Sequence, residues 1–192
     1  TYYHYVLRGD SLLLTGFNNQ TTNMKNYQPE VIMEFPVLYK DKKQSYFYGK
    51  GSYGARLEMN VMGSVQVESD AYGMIILPNK DTLKNVLRTH TIKYIAEESR
   101  PISSKFSQNT EPPLFVSSDS INTRLETDSV LFVVETFRWY ERGYRYPVFE
   151  TVRSWEQHRE REIQELLHTA FFYPPHEHFY LEDDEANLAL QD

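Results

Sequence analysis

Asp70-Ala71-Tyr72-Gly73-Met74-Ile75-Ile76-Leu77-Pro78-Asn79-Lys80-Asp81-Thr82-Leu83-Lys84-Asn85-Val86-Leu87-Arg88-Thr89-His90-Thr91 is the stretch whose reading decides the fold class. Asp70 to Gly73 is turn chemistry, Met74 to Leu77 is a short apolar run, and Pro78 stops it. Asn79-Lys80-Asp81 reverses the chain, and from Leu83 it extends again. The expectation is a strand, a polar turn and a second strand. Nothing in it is catalytic vocabulary.

The flanking segments read as strands that could pair beside this hairpin. Tyr2 to Leu7 and Ser11 to Phe17 flank Arg8-Gly9-Asp10, a tight-turn sequence. Residues 18–28 are polar, Asn-rich and loop-like. Val31 to Tyr39 is a strand interrupted by Pro36, which places it at an edge or a bulge. Ser45 to Tyr48 extends, and Gly49, Gly51 and Gly54 suggest a loose corner. From Arg56 to Asn60 the chain alternates, with Leu57, Met59 and Val61 on one face and Arg56, Glu58 and Asn60 on the other, and Gly63 suggests a bulge. Residues 97–113, rich in Ser and Pro, read as a long internal loop. Ser129 to Tyr140 is the longest strand candidate, turned by Glu141-Arg142-Gly143 into Tyr144 to Val152. Ser154 with Gln157 is a capping-box pattern, and Ile163, Leu166, Leu167 and Ala170 follow at helical spacing, predicting a helix over about 155–170. The expected fold is mainly β, an antiparallel β-sandwich or jelly-roll-like arrangement in a single domain over residues 1–192, with one short helix near the C-terminus.

Bulk chemistry narrows the function classes. Aromatic residues make up 15% of the 192 residues, a bias towards half-buried pleated surfaces. A net charge of −7 without a dense Lys/Arg cluster argues against a nucleic-acid partner. Without cysteine there is no thiol nucleophile and no thiolate metal site. No apolar run reaches the roughly 20 residues of a membrane-spanning helix. The chain opens on Thr1-Tyr2-Tyr3 without an initiator Met or a signal peptide, and reads as a fragment of a longer precursor.

The chemical candidates are few, and no cofactor is implied. Trp139, Tyr140, Tyr144 and Tyr146, interleaved with Arg138, Arg142 and Arg145, form an aromatic cluster near one turn that could stack on a sugar ring. Rings lining an open groove floored by a carboxylate would favour that reading, and buried rings would oppose it. His176 and His178, two apart, could hold a metal together with Asp183 or Glu185. Glu68 and Asp70 share a strand face, as in some β-sandwich glycoside hydrolases, but Tyr72 stands where a third acid would be needed. No nucleophile elbow, phosphate loop or dinucleotide fingerprint occurs.

Asp70 to Pro78 running on to Asn85-Val86-Leu87-Arg88, together with Arg138-Trp139-Tyr140-Glu141-Arg142-Gly143-Tyr144-Arg145-Tyr146-Pro147-Val148, resembles a domain of uncharacterised exported Bacteroidetes proteins. Similar proteins often end in a β-rich sorting module, which this sequence lacks. The resemblance implies export to the periplasm, outer-membrane surface or medium, a largely β fold, and no established activity. The leading expectation is therefore a non-catalytic exported envelope module, structural or adhesive, with a glycan or another envelope protein as partner. The alternative is a carbohydrate-binding module or carbohydrate-active enzyme.

Asp followed by Ser or Thr and then an apolar residue occurs at Ser11, Thr82, Ser120 and Ser129. This resembles the acceptor pattern of general O-glycosylation on exported Bacteroidetes proteins. It is also how a turn hands over to a strand. At least one of these hydroxyls is expected to carry a glycan.

Overall fold

The central hairpin forms where its turn residues place it, but its arms are far longer than the local signals suggest. The computed structural model describes residues 1–102, 112–113, 115–174, 185 and 189. Its elements are β1 (Tyr2–Arg8), β2 (Ser11–Asn18), β3 (Thr22–Glu34), β4 (Lys42–Tyr53), β5 (Leu57–Ile76), β6 (Thr82–Pro101), α1 (Ser118–Thr127), β7 (Val130–Glu141), β8 (Phe149–His158) and β9 (Gln164–Phe172). The turn between β5 and β6 is closed by Leu77 N–H donating to the Asp81 carbonyl and Lys80 N–H to that of Leu77, both at 2.8 Å. Asp70 to Gly73 is not a turn. It runs inside β5, with bulges between Glu68 and Ala71 and between Gly73 and Ile75.

All nine strands join one antiparallel sheet in sequence order. The chain is thus mainly β, and the described residues form one open meander rather than the two facing sheets of a sandwich or jelly roll. The reason is connectivity. Each strand pairs with the one that follows it, and no connection crosses over to begin a second sheet.

The sheet curls strongly. A straight 20-residue strand such as β5 or β6 would span about 65 Å. Bulges on β1–β2, β2–β3, β3–β4, β5–β6 and β8–β9 bend the strands instead. The curl brings distant strands together across the concave face. Lys93 on β6 donates to Glu30 on β3 at 2.6 Å, although β4 and β5 lie between them in the sheet. At one end that face is filled by Met24, Phe47, Val61 and Val65, with Phe17, Met59, Val67 and Ile95 packed around them. Glycine makes room for this packing. A Cβ on Gly63 would collide with the Tyr94 carbonyl and come within 2.7 Å of the Phe47 ring, which lies over it. Gly63 is therefore a close approach in regular pairing, not the expected bulge.

Other expectations are corrected by the same long-range pairing. Residues 22–28 belong to β3, paired with β4 across Gly49 and Gly51, so the Asn-rich loop shrinks to a turn. The corner expected at Gly49 to Gly54 lies at Gly54 and Ala55, both with positive φ. Residues 97–101, expected in the long loop, continue β6 opposite Leu57 to Val61, and 103–111 lie outside the described residues. The helix expected over 155–170 is a hairpin of β8 and β9, in which Ser154 pairs with Val134 on one side and Leu167 on the other.

The helix α1 lies mid-chain instead. Ser117 caps it by accepting from Ser120 N–H at 3.2 Å, and Asp119 suits the positive N-terminal end. Ile121, with no exposed surface, docks it on β5 and β6. The Asn122 amide donates to the Tyr46 hydroxyl at 3.1 Å, which places α1 on the outer face, where Ser64 and Ala96 are small and buried.

Candidate functional site

Period-two alternation sends β7 side chains to opposite faces. Val134, Thr136, Arg138 and Tyr140 point into the concave side, while Val133, Glu135, Phe137 and Trp139 point out. On β6, Leu87, Thr89, Thr91 and Lys93 face inward beside them. Beyond the packed end, the curl leaves a cavity of about 2230 Å³.

The walls are mostly apolar. Leu12, Leu14, Ile32, Val134, Val152 and Phe171 come from strands on both sides of the trough, and Phe35 and Leu38 from the segment after β3. Several remain open to solvent, including Leu38 at 62% and Phe171 at 55% exposed. Large aliphatic and aromatic groups in water carry an unrelieved hydrophobic cost, which a ligand removes by covering them.

One polar cluster interrupts this surface. Arg138 and Glu150 stand opposite each other in the β7–β8 register, and the Arg138 Nε donates to the Glu150 carboxylate. Burial works against the Arg138 charge, but Tyr140 and Glu150 together hold its pKa above the ordinary value. Tyr5, from the far edge strand, lies within the field of Arg138, Glu30 and Glu150. Burial raises its phenol pKa, and that of Tyr140 as well. Both phenols are therefore neutral at physiological pH. At the mouth, burial also raises the Glu141 pKa, opposed by backbone N–H groups of Asn85 and Lys84 that donate to it. Its Oε2 is buried without a hydrogen-bond partner among the described residues.

The expected aromatic site is split by this geometry. Tyr140, Arg142, Tyr144 and Tyr146 line the cavity. Trp139 lies on the outer face, edge-on to Phe149 at 5.4 Å, with the Arg88 guanidinium 5.8 Å from its ring. Arg88 is itself held by two hydrogen bonds to Asp70, at 2.9 and 2.8 Å, and His90 stacks on Phe137 at 4.3 Å. Glu68 pairs with Lys42 at 3.0 Å. The two acids of the β5 face are thus each held by a cation, Glu68 by Lys42 and Asp70 by Arg88.

His176 and His178 lie outside the described residues, and among the described residues no group of His, Asp and Glu is arranged to hold a metal. Ser11 begins β2, Thr82 begins β6, Ser120 lies in the first turn of α1, and Ser129 precedes β7. Thr82, Ser120 and Ser129 are exposed and Ser11 is half-buried. No helix among the described residues is long and apolar enough to cross a membrane.

Tyr5, Glu30, Lys93 and Glu150 were not singled out from sequence. Alternation around Arg138 could have separated Tyr140 from Trp139. No local signal could have brought Tyr5 or Glu30 to them. No family model matches the chain, and no curated protein or solved structure is significantly similar to it.

Proposed function

We propose that this chain is a non-catalytic binding module whose concave cavity takes up an apolar or amphiphilic small molecule. The observation that carries the reading is the set of large apolar side chains left exposed on the cavity wall, with Leu38, Leu167 and Phe171 as its clearest members. At about 2230 Å³ the cavity exceeds the roughly 300–1,000 Å³ of ordinary small-molecule pockets, enough for a long-chain ligand. Curled antiparallel sheets hold such ligands by area and shape, with few polar contacts. Export to the envelope, implied by the resemblance, fits a carrier or sensor of such molecules. O-glycosylation at an exposed hydroxyl among Thr82, Ser120 and Ser129, or at Ser11, belongs to the same proposal.

A carbohydrate ligand is the second reading. It is favoured by Tyr140, Tyr144 and Tyr146 lining the cavity together with Glu141 and Glu150. The aliphatic walls count against it, because they offer a sugar's hydroxyls no partners.

Titration with the neutral dye N-phenyl-1-naphthylamine separates the two. Saturable, blue-shifted fluorescence is expected, lost in Leu38→Asp/Leu167→Asp and unchanged in Trp139→Phe, whose ring is on the other face. Absence of saturable dye binding, together with a glycan that binds wild type and not Tyr140→Ala, would replace the first reading by the second.

A further inference from the structure

This inference rests on the cavity reading and narrows its ligand class. Arg138, Glu30 and Glu150 act on Tyr5; Arg138 is paired with Glu150 and Glu30 with Lys93 at 2.6 Å, so these four charges cancel two by two. Glu30 is only 3% exposed. An anionic head group entering here would compete with Glu30 or Glu150 for its cation and leave a carboxylate unpaired, buried in the case of Glu30 and largely desolvated in that of Glu150. A cationic head would do the same to Lys93 or Arg138. Breaking a pair that has lost most of its hydration is unfavourable, most of all for the buried Glu30.

The remaining lining charges, one acid and two arginines, leave a single positive excess at the mouth, outside the two pairs. Glu141, Arg142 and Arg145 stand in or beside the turn at the mouth, and both arginines are exposed and hydrated. The groups open to a ligand are neutral. Among the described residues neither the Tyr5 nor the Tyr140 hydroxyl has a hydrogen-bond partner, and both face the cavity beside the balanced pairs. A phenol both donates and accepts, as hydroxyl, ester and amide groups require.

We propose that the cavity selects uncharged amphiphiles, with an aliphatic tail against the apolar walls and a hydroxyl- or ester-bearing head at Tyr5 and Tyr140. The chemistry is that of a monoacylglycerol or a neutral glycolipid, as opposed to a fatty-acid anion, a phospholipid or a cationic amphiphile.

The test uses the full chain and three probes with the same tail, dodecanoylglycerol, dodecanoate and dodecyltrimethylammonium, each displacing bound N-phenyl-1-naphthylamine below its micelle concentration. Dodecanoylglycerol is expected to bind about tenfold or more tightly than either ionic probe. In Tyr5→Phe/Tyr140→Phe, checked for folding by circular dichroism, that preference should fall to about threefold or less, with dodecanoate unaffected. Equal or tighter binding of dodecanoate by wild type overturns the inference whether or not the variant folds, and leaves the cavity reading standing. Failure of the dye itself to bind overturns both.

Discussion

Arg138 and Glu150 face each other across the β7–β8 register, and their ion pair is set into the wall of an otherwise apolar cavity. Their side chains are 29% and 21% exposed, so each charge has lost much of its hydration and depends on the other. Arg138→Met should lower stability by about 1–3 kcal/mol, the upper end of the range being held down by residual solvent access. Arg138→Met/Glu150→Leu should recover most of that loss, because no unpaired charge remains. Urea unfolding of the two single variants and the double variant measures the coupling. Equal losses for the single and double variants would mean that the guanidinium stem, not the charge pair, matters.

Glu141 makes the pH dependence of stability specific. Burial is the largest influence on it and raises its folded-state pKa above the unfolded value. The folded chain therefore holds the proton to higher pH than the unfolded chain. The sign follows from linkage: the carboxylate costs nothing well below its unfolded pKa, becomes destabilising as pH rises through the interval up to the folded pKa, and remains so above it. Glu141→Gln keeps an acceptor for the Asn85 and Lys84 N–H groups and removes the charge. It should be more stable than wild type at neutral pH, with the difference vanishing near pH 3. Thermal unfolding of both proteins across that range reads it directly, and a difference that persists at low pH would contradict the assignment.

Ile121 is the side chain that fastens α1 to the sheet, and it has no exposed surface. Ile121→Ala should cost about 2–5 kcal/mol if the helix and sheet unfold together. Should α1 open alone, amide exchange over 118–127 will accelerate while β5 and β6 stay protected. Hydrogen exchange distinguishes these outcomes. Dye binding in the cavity should survive in either case, since α1 lies on the opposite face.

The sequence by itself determined the β class and the positions of two of the chain reversals. Arg8-Gly9-Asp10 and Asn79-Lys80-Asp81 act within a few residues, and each reverses the chain where those side chains and backbone preferences require, whereas Glu141-Arg142-Gly143 only opens a connection that reaches the next strand at Phe149 and not at the expected Tyr144. It misplaced elements wherever a residue's role was set by a partner strand. Gly51 and Gly63 read as breakers, yet they are absences of a side chain demanded by Asn23 and by Tyr94 and Phe47. Ser154 to Ala170 carried a helical pattern, but pairing with β7 and within the β8–β9 hairpin outweighed it, since amphipathic spacing without a helix-sized surface to cover has little hold. α1 was invisible because Ile121 is its one fully buried apolar side chain, too little for a period. Only the tertiary structure decided the site. Glu30 meets Lys93 across 63 residues, and Tyr5 reaches the field of Arg138 from the other edge of the sheet, because bulges curl the sheet by an amount that no local run of residues encodes.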